Sequence, residues 1–538
     1  MIKKHYSKII LFTILLLGVF LRFYQAGSHP ALNPDEAALG YNAYSLLQTG
    51  RDEHGTAWPL HFKSFGDYKP GGYVYLAIPF IKLFGLTPLA VRLPNLLLSV
   101  LSLYFFYSLV KLLTKNRNLS LLSLFFLSVS PWHIHFSRGA WESSTALSFL
   151  IIGTYFFYKS LKSSSQHSFP RSLLSFFAFI VFYVLSLYTY HSARIIAPAL
   201  ALVLFLTNFK ALWKRRQTLI LPLILGILLT LPVAFSFLKS GGSARFGGVG
   251  ITADSGPIWR TNELINHHQT YTTPGLLLVR LHHNKYLAYA LSWAQKYSSH
   301  FEGNFLFVGG DEVPRSASPD MGQLYPLDTI FLLFGLSLLF LKSKNQNKNN
   351  QPPSIFILWL LIAPLASSLT FQAPSALRAL PMTVPLSFFT ALGLSYLLSF
   401  LDKNKKVFYF AILTISLLYL LNLAYFLDSY FVHAPKRWPF AHSYGFKNLV
   451  SYTEEAKGQY EKIYVTNKYD QPYILFLFFS HYPPQKFQQE VELTPPDQFG
   501  FSTVTHFDKY VFTDTDSLIA PAPNSLVIHS DNQFFKPL

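Results

Sequence analysis

The sequence predicts a polytopic α-helical membrane protein with a small α/β domain at its C-terminal end, and three observations predict it. Of 538 residues 51% are hydrophobic and 13% charged, and the mean hydropathy is +0.28, more apolar surface than one soluble core can bury. Apolar stretches close to the ~20 residues that cross a hydrocarbon layer recur up to residue 427. Between them, basic residues gather in every second connection.

About eleven spans can be drawn: 8–25, 88–110, 119–137, 142–160, 173–190, 193–209, 218–238, 326–341, 354–371, 378–400 and 407–427. The first follows Lys3, Lys4 and Lys8 and ends in Leu21-Arg22-Phe23-Tyr24 without a small-residue cleavage site, so it reads as a retained anchor. The basic clusters are Lys111/Lys115/Arg117, Lys159/Lys162/Arg171, Lys210/Lys214/Arg215/Arg216, Lys342/Lys344/Lys348 and Lys403/Lys405/Lys406. The positive-inside rule places them in the cytoplasm with the N-terminus. The net charge of +18 therefore reports topology and not a nucleic-acid stripe. With no cysteine, disulfides and thiolate metal sites or nucleophiles are excluded.

This topology divides the chain into a membrane domain, 1–428, and an extracytoplasmic domain, 429–538. It places residues 26–87, the Arg138–Trp141 turn and the long loop 239–325 outside the cytoplasmic membrane. In the first outer loop Asn33 can cap a helix that Pro34 opens, Glu36 has capping-box spacing, and Gly50 closes it. The stripe Ala37, Tyr41, Tyr44 and Leu47 suits a helix lying in the membrane interface. A second juxtamembrane helix is predicted from Lys69-Pro70-Gly71-Gly72 to about Phe84. Loop 239–325 is long enough to be functional and is expected to cover the site, whereas 342–353 reads as a solvated linker. In the tail, Gly445–Gln459 reads as helix and Lys462–Thr466, Lys509–Phe512 and Ser525–Ile528 as strands; the apolar run Pro472–Phe479 is too short to span.

Candidate chemistry lies in the outer segments. Asp35 and Glu36 are adjacent carboxylates that could take a proton from a hydroxyl, although acidic residues are favoured in any first helical turn. Lys69, beside Asp67 and Tyr68, could neutralise a phosphate or simply snorkel to headgroups. Arg138 and Glu142 flank a short turn between spans, where charge is costly, or form an i,i+4 pair. His191 with Arg194, and Arg378, stand at the outer starts of spans, and several basic groups on one surface suit an anionic lipid head. Three motifs are weaker. Asp52-Glu53-His54 reads as a solvated turn, Gly241–Gly248 lacks the ending of a phosphate loop, and the pairs His267-His268 and His282-His283 lack zinc-ligand spacing.

The order Asn33-Pro34-Asp35-Glu36, Asp67-Tyr68-Lys69-Pro70, Val91-Arg92-Leu93-Pro94 and Ser137-Arg138-Gly139-Ala140-Trp141-Glu142 resembles the GT-C membrane glycosyltransferases of the protein O-mannosyltransferase and aminoarabinose transferase type. The resemblance implies a GT-C fold and transfer of a sugar, with inversion, from a polyprenyl-phosphate donor to a hydroxyl of a protein, lipid or glycan. It puts a catalytic carboxylate at Asp35 with Glu36 beside it, a second acidic position at Glu142, and a carrier-phosphate ligand at Lys69. Arg138, Arg194 and Arg378, with Tyr68 and His191, are expected around the donor. Expected partners are the lipid-linked sugar, its acceptor and membrane lipids, without nucleic acid. No metal or other cofactor is expected, with a divalent cation left open. The rival reading is a lipid or glycan transporter, against which stand charges gathered at one face and the lack of an inverted repeat.

Overall fold

A computed structural model of the chain describes residues 2–65, 67–162, 169–239, 250–271, 276–339, 353–469, 471–496, 502–517 and 521–530. The Gly241–Gly248 motif, the Lys342/Lys344/Lys348 cluster and nearly all of the predicted linker lie outside the described residues.

The protein is a multi-pass helical membrane protein. Among the described residues six helices are long and apolar enough to cross a membrane, or seven if a bent pair counts as one span. The first part of the chain runs α1 (Ile2–Phe23), α2 (Pro34–Thr49), a hairpin of β1 (His61–Ser64) and β2 (Asp67–Pro70), α3 (Gly72–Phe84) and α4 (Pro88–Thr114). It continues through α5 (Arg117–Val129), α6 (Pro131–Arg138), α7 (Glu142–Lys162), α8 (Phe169–Thr189), α9 (Ala193–Thr207), α10 (Phe209–Trp213) and α11 (Arg216–Lys239). Helices Asp328–Ser337, Ser354–Ile362, Thr383–Leu401 and Lys405–Asp428 complete the bundle.

Differences from the eleven predicted spans have local causes. Span 119–137 is broken by 56° at Ser130, where Pro131 opens α6 and the Ser130 hydroxyl accepts from the His133 amide. Helix α7 is long but studded with Ser143, Ser144, Thr145, Ser148 and Thr154, all buried, because protein and not lipid surrounds it. Pro364 ends the helix begun at Ser354, leaving a four-residue turn, Leu365–Ser368. Gly335 and Gly393 let helices Asp328–Ser337 and Thr383–Leu401 touch backbone to backbone: a Cβ on either would come within 2.0 Å of a carbonyl oxygen of the other helix.

The first three basic clusters lie together. Lys162 donates to the Leu112 carbonyl, and Arg215 donates to the Ser160 carbonyl at 2.6 Å.

The C-terminal region folds as predicted into helix Phe446–Ala456 followed by a sheet in the order β4-β5-β6-β3-β7. Its strands are β3 (Lys462–Thr466), β4 (Glu492–Leu493), β5 (Val504–Phe507), β6 (Tyr510–Thr513) and β7 (Ser525–Ile528), and β3 is parallel to both β6 and β7. The run after Pro472 forms a buried helix, Tyr473–Phe479, that packs on α2. The Ala37 and Tyr41 stripe thus does not face lipid: both are fully buried against this domain, and the Tyr41 hydroxyl donates to the Tyr482 carbonyl at 3.0 Å.

Asp52-Glu53-His54 is likewise not a solvated turn. Asp52 and Glu53 are buried, and Glu53 accepts hydrogen bonds from Asn42 on α2 (3.0 Å) and Tyr473 (3.4 Å). Burial pushes the Glu53 carboxyl up from 4.5 to about 7, against those hydrogen bonds and the nearby Lys69 charge. Its folded value lies above the unfolded one, so the folded state holds the extra proton, and stability falls as pH rises from about 4.5 through 7. Glu53→Gln, neutral throughout, is expected to raise the thermal midpoint by a few degrees at pH 8 and to leave it nearly unchanged at pH 4, read by tryptophan fluorescence.

Candidate active site

The start of α2 is built by its own sequence. The Asn33 side chain accepts from the Glu36 amide at 3.0 Å, Glu36 reaches back to the Asn33 amide at 3.4 Å, and Pro34 supplies the first helical residue. At the other end Gly50 adopts φ +69°, a left-handed cap. This fixes Asp35 one residue inside the helix, with its carboxylate a third exposed.

Two cations hold that carboxylate. Lys69 Nζ lies 2.5 Å from Asp35 Oδ1, and Arg315 Nη1 lies 3.2 Å from Oδ2. Lys69 is carried by β2, opposite the buried Phe62 of β1, so the hairpin aims it at α2. Arg315 sits in a short 3-10 turn, Pro314–Ser316, whose Arg315 carbonyl accepts from His135 Nε2 at 2.9 Å. Arg315 was not predicted individually, but it comes from the long loop expected to cover the site.

The hairpin is clamped to the α8–α9 connection. His191 Nε2 donates to the Tyr68 carbonyl at 2.9 Å, and Arg194 Nη2 lies 2.6 Å from His61 Nε2. Burial and the Arg194 charge push His61 down to about 4, so its ring is neutral and can accept from the guanidinium. Asp35, Lys69, Tyr68, His191 and Arg194 therefore form one continuous group on one side of the bundle.

Other candidates are placed differently. Glu36, expected beside the catalytic carboxylate, is 1% exposed and fully engaged: Arg92 donates through Nε (2.8 Å) and Nη2 (2.7 Å), Ala140 through its amide (2.7 Å), and Asn33 through its side chain (3.1 Å). It ties α2, α4 and the Gly139-Ala140 turn together beside Asp35. Arg138, expected at the donor, is fully buried. It donates to the carbonyls of Leu21, Arg22, Tyr24 and His29, and stacks 4.8 Å from the Phe431 ring centroid. It thereby satisfies the carbonyls that end α1. Arg378 donates to the Gln372 carbonyl at 3.2 Å and lies near Ser143 and Tyr190, at the seam of α7 and α9. Glu142 opens α7, half-buried, two residues past the Ala140 amide that Glu36 binds.

Among the described residues, no group of three His, Asp or Glu side chains stands close enough to hold a metal ion. His268 and His283 pair their rings at 5.2 Å. A cavity of about 770 Å³, lined by Pro34 and by the Arg315 that pairs with Asp35, extends to the C-terminal domain.

An α-helical membrane bundle, a carboxylate at the start of a helix in its first long connection, and an α/β domain docked over that helix define a protein with the GT-C fold of membrane glycosyltransferases. Residues 69–235 match the family model described as dolichyl-phosphate-mannose-protein mannosyltransferase. Similar solved structures include the archaeal oligosaccharyltransferase AglB from Archaeoglobus fulgidus, in complex with an inhibitory peptide and a dolichol-phosphate. It has a TM-score of 0.53 and 13% identity, over 89% of this chain and 64% of that one. ArnT from Cupriavidus metallidurans, bound to undecaprenyl phosphate, has a TM-score of 0.51 and 11% identity, over 89% of this chain and 85% of its own. The chain thus spans 64% of the length of the oligosaccharyltransferase. No curated protein matches the sequence significantly.

Proposed function

We propose that this protein transfers a sugar, with inversion, from a polyprenyl-phosphate carrier to an acceptor hydroxyl on the outer face of the cytoplasmic membrane. The observation that carries this reading is the Asp35 carboxylate, held at 2.5 and 3.2 Å between Lys69 and an Arg315 that also lines a large open cavity. The match of residues 69–235 and the lipid phosphates bound by AglB and ArnT support it.

In this mechanism the donor phosphate competes with Asp35 for Lys69 and Arg315. As the cations turn to phosphate, Asp35 is released to accept a proton. The acceptor oxygen attacks the anomeric carbon from the face opposite the carrier, and its proton passes to Asp35. The bond from that carbon to the phosphate oxygen breaks, and polyprenyl phosphate leaves as an anion. Since the leaving group is already a stable anion, it needs neutralising charge and no acid, which is what Lys69, Arg315 and the neighbouring Arg194 supply. Tyr68 and His191 hold the hairpin that carries Lys69. Glu142 and Arg378 would meet the sugar from the α7–α9 side, and no metal is required for any step.

The test is release of polyprenyl phosphate from a panel of polyprenyl-phosphate sugars by protein in lipid nanodiscs. Lys69→Ala and Arg315→Ala are each expected to lower kcat/KM for the donor by about 10- to 100-fold, the worth of one charge-assisted hydrogen bond to phosphate. If no donor turns over with any acceptor, the transfer reading fails and the transporter reading replaces it. A wild-type rate that both variants share removes these residues from the donor site.

A further inference from the structure

The cavity beside Asp35 carries information about the acceptor that the catalytic group does not. It starts at Pro34 and Arg315, on the Oδ2 side of the carboxylate, and Lys69 holds the Oδ1 side. Its far walls are the 437–446 segment and the ends of β3 and β7, all from the C-terminal domain. A polyprenyl chain needs lipid along its length, so this chamber suits the acceptor.

The lining has two chemical features. Arg315, Arg437, Lys468 and His529 give it four basic side chains, and no Asp or Glu lines it among the described residues. Arg437 pairs with Asp320, and Lys468 and His529 both pair with Asp516, neither acid being among the lining residues. Such exposed pairs are weak and can exchange their anion for a ligand's. Aromatic rings form the second feature: Phe440, nearly half exposed, with Tyr444, Phe446 and Tyr469. Ring faces bind the C–H faces of pyranoses, and tyrosine hydroxyls bond their oxygens. A volume of about 770 Å³ encloses one small ligand and not a protein domain.

Building on the transfer reading, we infer that the acceptor is an anionic saccharide: a short glycan bearing a carboxylate or phosphate, seated between the aromatic walls with its acidic group toward Arg437, Lys468 and His529. Its hydroxyl then projects past Arg315 to Asp35.

Binding tests this without turnover. The Asp35→Asn protein in nanodiscs is titrated by calorimetry with a hexuronate-containing trisaccharide and with its carboxyl-reduced, neutral counterpart. The acidic probe is expected to bind about tenfold more tightly, an advantage that shrinks with salt. Lys468→Gln and Arg437→Gln should each remove much of that advantage with the thermal midpoint unchanged, and Phe440→Ala should weaken both probes. Equal binding of the two probes, binding of neither, an advantage that survives both charge substitutions, or tighter binding of an acidic peptide would each overturn the inference. If the acidic probe binds as expected while no lipid-linked sugar is consumed, transfer fails and the saccharide site stands. Turnover with neutral acceptors alone gives the reverse.

Discussion

Asp35→Asn is expected to lower kcat for sugar transfer by at least about 10²-fold and up to about 10⁴-fold while the protein remains folded. Asn keeps the shape and tolerates the first helical turn, so the Asn33–Glu36 cap survives. What disappears is the proton acceptor and the charge that holds Lys69 and Arg315 in the resting site. The two losses act oppositely on the kinetic constants. Without the carboxylate the cations no longer have to be won from Asp35, so KM for the donor should stay level or fall while kcat collapses. That split separates a base from a mere helix-start residue, whose loss would reduce stability and leave kcat near normal. A near-normal rate would move the search for the base to Glu142.

The second large effect concerns the neighbouring acid. Glu36→Ala strands the Arg92 guanidinium, fully buried, and also removes the acceptor for the Asn33 and Ala140 amides. Breaking one side of a buried pair typically costs about 3–5 kcal/mol. The expected result is a thermal midpoint lower by several degrees in detergent, with activity lost in proportion to folded protein. Arg92→Met should be as damaging, and the double variant Glu36→Gln/Arg92→Met should recover part of the loss because no charge is left unpaired. If Glu36→Ala melted like wild type but was inactive, Glu36 would be a catalytic group after all.

What could be read from sequence follows how local each signal is. The α2 cap depends on four consecutive residues, so Asn33, Pro34, Glu36 and Gly50 announce it. Lys69 was legible as a charge beside an interfacial helix, although the hairpin that aims it was not, since β1 and β2 are four residues each. Arg315 lies 280 positions from Asp35, and no periodicity marks it. Arg138 shows why charge near a membrane is ambiguous. An arginine there reads equally well as a phosphate ligand or as a staple for the carbonyls at a helix end, and only the position of α1 decides. The stripe on α2 failed in the same way, because an apolar face does not declare whether lipid or protein will cover it. Predicted spans and observed helices differ where helices are enclosed by protein, as with α7, or stopped by proline, as at Pro364.

The shared core between α2 and the C-terminal domain has a consequence for how the protein is made. Helix α2 leaves the ribosome among the first fifty residues, yet Tyr482, Phe487 and the buried helix Tyr473–Phe479 that cover it come more than 400 positions later. Chains emerge N-terminal end first at about 5–20 residues per second. For all that interval the segment bearing Asp35 has its apolar face uncovered. A nascent or truncated chain therefore holds Asp35 without its support, and assembly of the candidate site is timed to the completion of the C-terminal domain's synthesis.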